Sequence, residues 1–280
     1  MRIANVDGRV KLLVDGGAVD VERASRGRLP ADPLAAYDRF DELVAWSSGV
    51  TAADEPFIAE QAGPPSPAPR QVFAIGINYV DHAAESGHDV PTSPLVFTKY
   101  VSSFSGPVST VVLPPGSVDW EVEVVAVIGR TARQVPVARA WEHVAGLTVG
   151  QDLSERQLQR RGPAPQFGLG KSYPGFSPMG PSLVTPDELD RPDDLALGCE
   201  VDGEVRQQAR SADMIFGVSE LVAYLSGVVT LYPGDVIYTG TPPGVGMGRT
   251  PPVFLQPGNR LRSWIEGIGE LEQRFVVADD

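Results

Sequence analysis

Cysteine, histidine and basic residues are the scarce components of this chain. A single cysteine among 280 residues, Cys199, excludes an internal disulfide and fits a reducing compartment. It lies in the apolar run Leu195–Cys199, where a buried strand residue is expected rather than a nucleophile. Lysine and arginine number 23 against 36 acidic residues, a net charge of −13. That balance argues against nucleic acid or an anionic membrane surface as a partner. An anionic substrate then needs local positive charge, from a metal or from Lys and Arg in the site. No apolar run approaches the roughly 18 residues of a membrane span. The first residues show no charged head followed by an apolar stretch, so no signal peptide and a cytoplasmic location are expected. Only three histidines occur (His82, His88, His143), so one set within a motif carries weight.

What is present suits a β-rich globular protein. A hydrophobic content of 42% is enough for a sizeable core, and the 26 prolines and 30 glycines are interleaved with apolar runs. This composition reads as a loop-rich fold rather than disorder. Residues 1–62 read as a small N-terminal α/β module. In it, Ile3–Val6 and Val10–Val14 form a hairpin about Asp7-Gly8-Arg9. Asp32-Pro33 opens one helical pattern (Leu34, Tyr37, Phe40, Leu43, Val44) running to Gly49. Residues 63–69 read as a stiff Pro-rich linker. Residues 70–280 read as the main domain, with strands expected at Gln71–Ile75, Leu95–Thr98, Val111–Leu113, Trp120–Ile128, His143–Gln151, Leu195–Val201, Asp235–Tyr238, Arg260–Ile265 and Leu271–Val277. Ser219–Ser226 reads as a helix. The fold class is mainly β with α, an α+β protein.

The most informative stretch is Asp119-Trp120-Glu121-Val122-Glu123, followed by Asp152. In a strand, alternate side chains share a face about 6.6 Å apart. Asp119, Glu121, Glu123, Val125 and Val127 then occupy one face, with Trp120, Val122, Val124, Ala126 and Ile128 on the other. Buried carboxylates need neutralising. Oxygen donors without nearby Cys or His point to Mg²⁺, Mn²⁺ or Ca²⁺ rather than zinc. A hydrated strand end would show the same spacing.

Other motifs surround it. His82 and Glu85 share a face if Asn78–Ser86 is a short helix. A carboxylate on the imidazole would fix its tautomer and raise its basicity, and a solvated surface pair is the plainer reading. Gly170-Lys171-Ser172 is not a phosphate-binding loop, since Pro165 stands where that motif needs glycine. Gly244-Val-Gly-Met-Gly248 lacks the βαβ context of a dinucleotide fingerprint.

Taken in order, Gly76-Ile77-Asn78-Tyr79-Val80-Asp81-His82-Ala83-Ala84-Glu85, the Glu121–Glu123–Asp152 set, Gly168-Leu-Gly-Lys171-Ser172 and Thr239-Gly-Thr241-Pro-Pro-Gly-Val-Gly246 resemble the fumarylacetoacetate hydrolase family, over roughly residues 70 to 276. Within the family they resemble its acylpyruvate hydrolase and 2-hydroxyhepta-2,4-diene-1,7-dioate isomerase-like branch. The resemblance implies the family's mixed β-sandwich roll and, commonly, a homodimer. It implies that Glu121, Glu123 and Asp152 are metal ligands, for Mg²⁺ or Mn²⁺, with Ca²⁺ possible in crystals. His82 and Glu85 match a water-activating dyad. Lys171 matches a lysine near the developing oxyanion, Arg156 and Gln159 match groups on the substrate oxygens, and Thr241 matches a contact of the substrate carboxylate. Glu155 and Gln157 depart from the family's Ala and Asp beside these groups. Lys99 also recurs in relatives, without a role beyond structure or charge balance.

The activity so implied is metal-dependent hydrolysis of a carbon–carbon bond in a small anionic 2-oxo or β-diketo acid. Water activated by His82–Glu85 attacks the distal carbonyl and an enolate leaves. The alternative uses the same site for tautomerisation, isomerisation or decarboxylation of a 2-oxo acid. A non-catalytic metal-binding protein is the third reading.

Overall fold

The computed structural model describes residues 1–15 and 17–278, so the last two residues of the expected 70–280 domain lie outside it. Two sheets carry the molecule, with few helices. The larger has 11 strands, nine of them in the order Gly17–Asp20, Arg9–Val14, Arg2–Val6, Ser177–Val184, Val144–Gln151, Val122–Ile128, Val236–Tyr238, Val72–Gly76, Leu95–Thr98. The smaller has five: Glu204–Arg210, Ala196–Val201, Arg260–Ile265, Gly269–Val276 and Val108–Val112. Both are mixed, because Val236–Tyr238 pairs parallel with Val72–Gly76 and Gly269–Val276 pairs parallel with Val108–Val112. The mixed-sheet architecture anticipated from the resemblance is therefore present. No helix among the described residues is long and apolar enough to cross a membrane.

The strand Val122–Ile128 is the axis of the molecule, buried at every residue. Its alternation sorts it between two cores. Val122, Val124, Ala126 and Ile128 pack with Leu197, Leu261 and Leu271 of the smaller sheet. Val125 and Val127 pack with Leu12, Tyr37, Phe40, Leu43 and Leu183 on the opposite side. A strand sandwiched this way reads as a nearly continuous apolar run. Val72, Val236 and Tyr238 belong to the same second core, so the N-terminal strands and helices share it with the main sheet. Across residues 62–69, Ala62–Gly63 pairs with Arg2–Val6, and Ser66 donates to the Gly234 carbonyl at 2.6 Å.

Two expectations are corrected. The run from Trp120 is not one continuous strand. Val118–Asp119 pairs with Ser154–Glu155 in a separate two-stranded piece, and the long strand starts only at Val122. At the break, side-chain amides replace ladder partners: Gln151 Oε1 accepts the Glu121 N–H at 2.8 Å and Gln207 Oε1 accepts that of Val122 at 3.0 Å. The single helix expected over 32–49 is two, Pro33–Tyr37 and Phe40–Ser47. Asp32 caps the first through Ala35 N–H, and Arg39 (φ −122°, ψ 30°) leaves helical geometry between them. Val44 is consequently exposed rather than on the apolar face.

Cys199 is fully buried, and burial pushes its thiol well above the usual range, as befits an inert core residue. Close packing beside the acids generates the first prediction. A Cβ at Gly150, the register partner of Glu123, would lie 2.3 Å from Val125 Cγ2 and 2.9 Å from the Tyr238 ring. Gly150→Ala is expected to cost about 1–3 kcal/mol in denaturant unfolding. Gly227→Ala, in the Val218–Val228 helix where an added Cβ meets nothing, should instead add up to about 1 kcal/mol.

Candidate active site

Strand register explains how acids thirty residues apart meet. Val122–Ile128 runs antiparallel to Val144–Gln151, with Val122 opposite Gln151 and Glu123 opposite Gly150. One residue further, Asp152 N–H donates to the Glu121 carbonyl at 2.9 Å, which sets Asp152 beside Glu121. Ligand oxygens of Glu121, Glu123 and Asp152 lie within 4.8 Å of one another, and all three residues are buried. The set is oxygen-only and converges on one point, so it fits a hard divalent cation.

Cations neutralise part of this charge. Lys171, just after the short helix Phe167–Gly170, places Nζ 2.6 Å from both Glu121 Oε2 and Asp152 Oδ2. Lys99, at the end of the edge strand Leu95–Thr98, places Nζ 2.5 Å from Asp152 Oδ1 and also donates to the Lys171 carbonyl. Arg156 contacts Glu121 Oε1 at 2.7 Å and Gln159 Oε1 at 3.0 Å. Burial works against the charge on Glu121, but Lys171 and Arg156 outweigh it and hold its carboxyl down to about 2. Burial likewise opposes the charge on Lys171, and Asp152 and Glu121 outweigh it, keeping its pKa raised. Glu123 differs. Its one donor is Gly240 N–H, at 2.7 Å, and no Lys or Arg pairs with it among the described residues. Burial, then Asp152 and Glu121, push its carboxyl well above the ordinary value.

The His82–Glu85 pair sits on another element. Val80–Glu85 is a short helix, and His82 Nδ1 is 2.7 Å from Glu85 Oε1. The chain enters it through Ile77, whose φ of +55° is strained for a β-branched residue. Asn78 braces that turn: its amide donates to the Phe216 and Thr239 carbonyls at 2.9 and 2.7 Å.

A cavity of about 370 Å³ joins these parts. Glu121, Arg156, Gln159, Lys171, Thr241 and His82 line it, against an apolar wall that includes Ile75, Ile77, Phe97, Phe167 and Met247. Glu123 and Asp152 reach it through the triad, and Glu85 through His82. Thr241 Oγ1 donates to the Val122 carbonyl at 3.0 Å and accepts from Gln207 at 2.7 Å. The two departures, Glu155 and Gln157, do not line the cavity. Glu155 is buried and caps the helix Arg156–Gln159, accepting from Ser117, Gln157 and Leu158 N–H at 2.9, 3.0 and 2.7 Å.

Sequence reasoning assigned no role to Lys99 and placed Asp119 on the face of Glu121. Asp119 instead points to Arg156, accepting from Nε and Nη2 at 2.9 and 2.7 Å. The break at Trp120 is invisible in an alternating pattern, and the fit of a lysine to an acid 53 residues away leaves no local signal.

Glu123 yields the second prediction. Its carboxyl titrates higher folded than unfolded, so the folded state binds the extra proton. Metal-free protein therefore loses stability as pH rises from about 4.5 toward the raised value. In thermal melts against pH without divalent ions, Glu123→Gln is expected to flatten that decline. It should also abolish stabilisation by Mn²⁺, which in the wild type reaches about 2.7 kcal/mol at a hundredfold excess over Kd.

Comparison with known proteins gives the family of the chain. The model of the fumarylacetoacetate (FAA) hydrolase C-terminal domain matches residues 71–276. A human protein named as a mitochondrial oxaloacetate tautomerase is 46% identical over 210 residues, covering 74% of this chain and 67% of its own. A crystal structure of a Mycobacterium smegmatis protein aligns over the whole of both chains at 56% identity, with a TM-score of 0.95. Maleylpyruvate hydrolase from Sphingobium, in complex with manganese(II) and pyruvate, aligns over the whole of both chains at 27% identity and a TM-score of 0.81. With the family model matched over residues 71–276 and relatives at this level of identity, the chain belongs to the fumarylacetoacetate hydrolase family.

Proposed function

We propose that this chain is a divalent-metal-dependent enzyme that takes a small dicarboxylic 2-oxo acid through its enolate, with keto–enol tautomerisation as the primary reaction. The observation that carries the reading is the convergence on one cavity of the acid triad and a single buried imidazole already held by a carboxylate. Magnesium or manganese suits the oxygen donors, and a manganese-bearing relative supports that choice. Such a cation, held by Glu121, Glu123 and Asp152, supplies Lewis-acid stabilisation of the charge that develops on the 2-oxo oxygen.

The protein's own groups divide the remaining work. Arg156, Lys171, Gln159 and Thr241 line the charged wall and bind the 2-oxo acid end. His82, oriented by Glu85, takes the proton from the carbon next to the carbonyl and returns it to the other end of the enolate. Arg160 and His88 stand at the same cavity with side chains unpaired among the described residues, and Arg160 offers a cation for a second carboxylate. Relatives named as oxaloacetate tautomerases, at 38–46% identity over 210 to 268 residues, support tautomerisation as the first assignment.

Hydrolysis of a carbon–carbon bond is the second reading, supported by the hydrolase relative holding pyruvate. There His82 would take its proton from water rather than from carbon. The two are separated by product mass. With Mn²⁺ or Mg²⁺, the wild type is expected to accelerate loss of enol-oxaloacetate without a change of mass. His82→Ala should lower that rate by about 10²–10⁴, and chelation should abolish it. Cleavage of an acylpyruvate with gain of water would move the assignment to the hydrolase. Metal-loaded protein that turns over neither compound would overturn the enolate reading.

A further inference from the structure

Four backbone amides of one loop reach three different acids of the site. Gly240 N–H donates to Glu123 at 2.7 Å, and Gly244 N–H donates to both Glu85 oxygens at 2.9 and 3.1 Å. Gly246 and Met247 N–H donate to Asp119 Oδ1 and Oδ2 at 2.7 and 3.0 Å. Such charge-assisted bonds are the stronger class and fix an acceptor's direction as well as its energy. The loop has no room for side chains where it does this. A Cβ at Gly244 would lie 2.1 Å from the Arg206 carbonyl, one at Gly246 would lie 1.8 Å from that of Val253, and one at Gly248 would lie 2.9 Å from Glu85.

Asp119 is the hub of this arrangement. It is fully buried, and besides the loop amides it accepts from Trp120 N–H at 2.9 Å and twice from the Arg156 guanidinium. Arg156 is thus divided between Asp119 and Glu121, 2.7 Å from each. Three residues earlier in the loop, Gly244 holds the carboxylate that orients His82. We infer that Asp119 is a positioning residue, which couples the His82–Glu85 base to the anion-binding Arg156 through the turn Gly244–Met247.

The physical consequence is reciprocal. Loosening Glu85 frees the turn and slackens its grip on Asp119. Removing the charge of Asp119 leaves Arg156 with Glu121 as its remaining carboxylate, and frees the turn beneath Glu85. Side chains held by one short turn are coupled, so a substitution at either perturbs the backbone that holds the other. Two residues without such a link would act additively.

This inference rests on the site assignment above, so its test includes a readout that needs no substrate. Amide hydrogen exchange is measured on full-length Asp119→Asn, Glu85→Gln and the double variant. Asparagine keeps an acceptor for Trp120 and Gly246 but not the charge. Asp119→Asn is expected to speed exchange at Gly244, whose acceptor is Glu85, by about tenfold. Glu85→Gln should speed exchange at Met247, whose acceptor is Asp119, by the same factor. If the enolate reading holds, the kcat losses of the two single variants will combine to less than their product in the double variant, while KM rises chiefly with Asp119→Asn. Exchange that changes only at the amides of the substituted acid would overturn the coupling, whatever the substrate proves to be. If Asp119→Asn loses protection throughout the chain, the Glu85→Gln arm alone decides, because Glu85 lies on a partly exposed helix.

Discussion

Buried negative charge is the constraint on which the rest of this structure depends. Asp119, Glu121, Glu123 and Asp152 are buried within one region, and Lys99, Lys171 and Arg156 are the buried cations that meet them. Four acids against three cations leave one negative charge, and it falls on Glu123, which pairs with none of them. An isolated carboxylate in such a medium costs several kcal/mol. Left alone, Glu123 answers by holding its proton more tightly. A divalent cation at the triad would remove that need, which is why an arrangement costly for stability is intelligible as a binding site.

The same constraint shapes the surrounding backbone. Acids that cannot be hydrated must take hydrogen bonds from somewhere, and amides aimed from a close-packed loop are available without side-chain entropy. Close approach requires glycine, and at 240, 244 and 246 the space that a Cβ would fill is already occupied by neighbouring atoms. The fold supplies the rigidity that this needs. Val122–Ile128 is buried on both faces between two cores, so the residues at its N-terminal end are presented from a fixed support.

The imidazole of His82 is held differently. The helix carrying His82 lies toward the surface, entered through a strained turn at Ile77 and braced by Asn78. Strain of about 1–3 kcal/mol at such a position persists only where the surroundings over-determine it. The lining of the cavity therefore comes from separate elements. Arg156 and Gln159 sit on one short helix, Lys171 follows another, His82 sits on a peripheral helix, and an apolar wall completes the enclosure.

Much of this was legible in the residues. Alternation along Val122–Ile128 identified the two faces of the strand, and both turned out buried. Proline and glycine among apolar runs indicated a loop-rich β protein, and the acids Glu121, Glu123 and Asp152 do come together. The triad, the His82–Glu85 pair and Lys171 carried enough identity to reveal the family. What only the tertiary structure decided has one physical reason: it depends on contacts between residues far apart in sequence. The strand break that turns Asp119 toward Arg156 is made by side-chain amides of Gln151 and Gln207. The partner of Lys99 lies 53 residues away. The capping role of Glu155 needs the loop at Ser117. Local pattern determined which residues are buried and which chemistry they bring, while long-range register and close packing determined which of them meet.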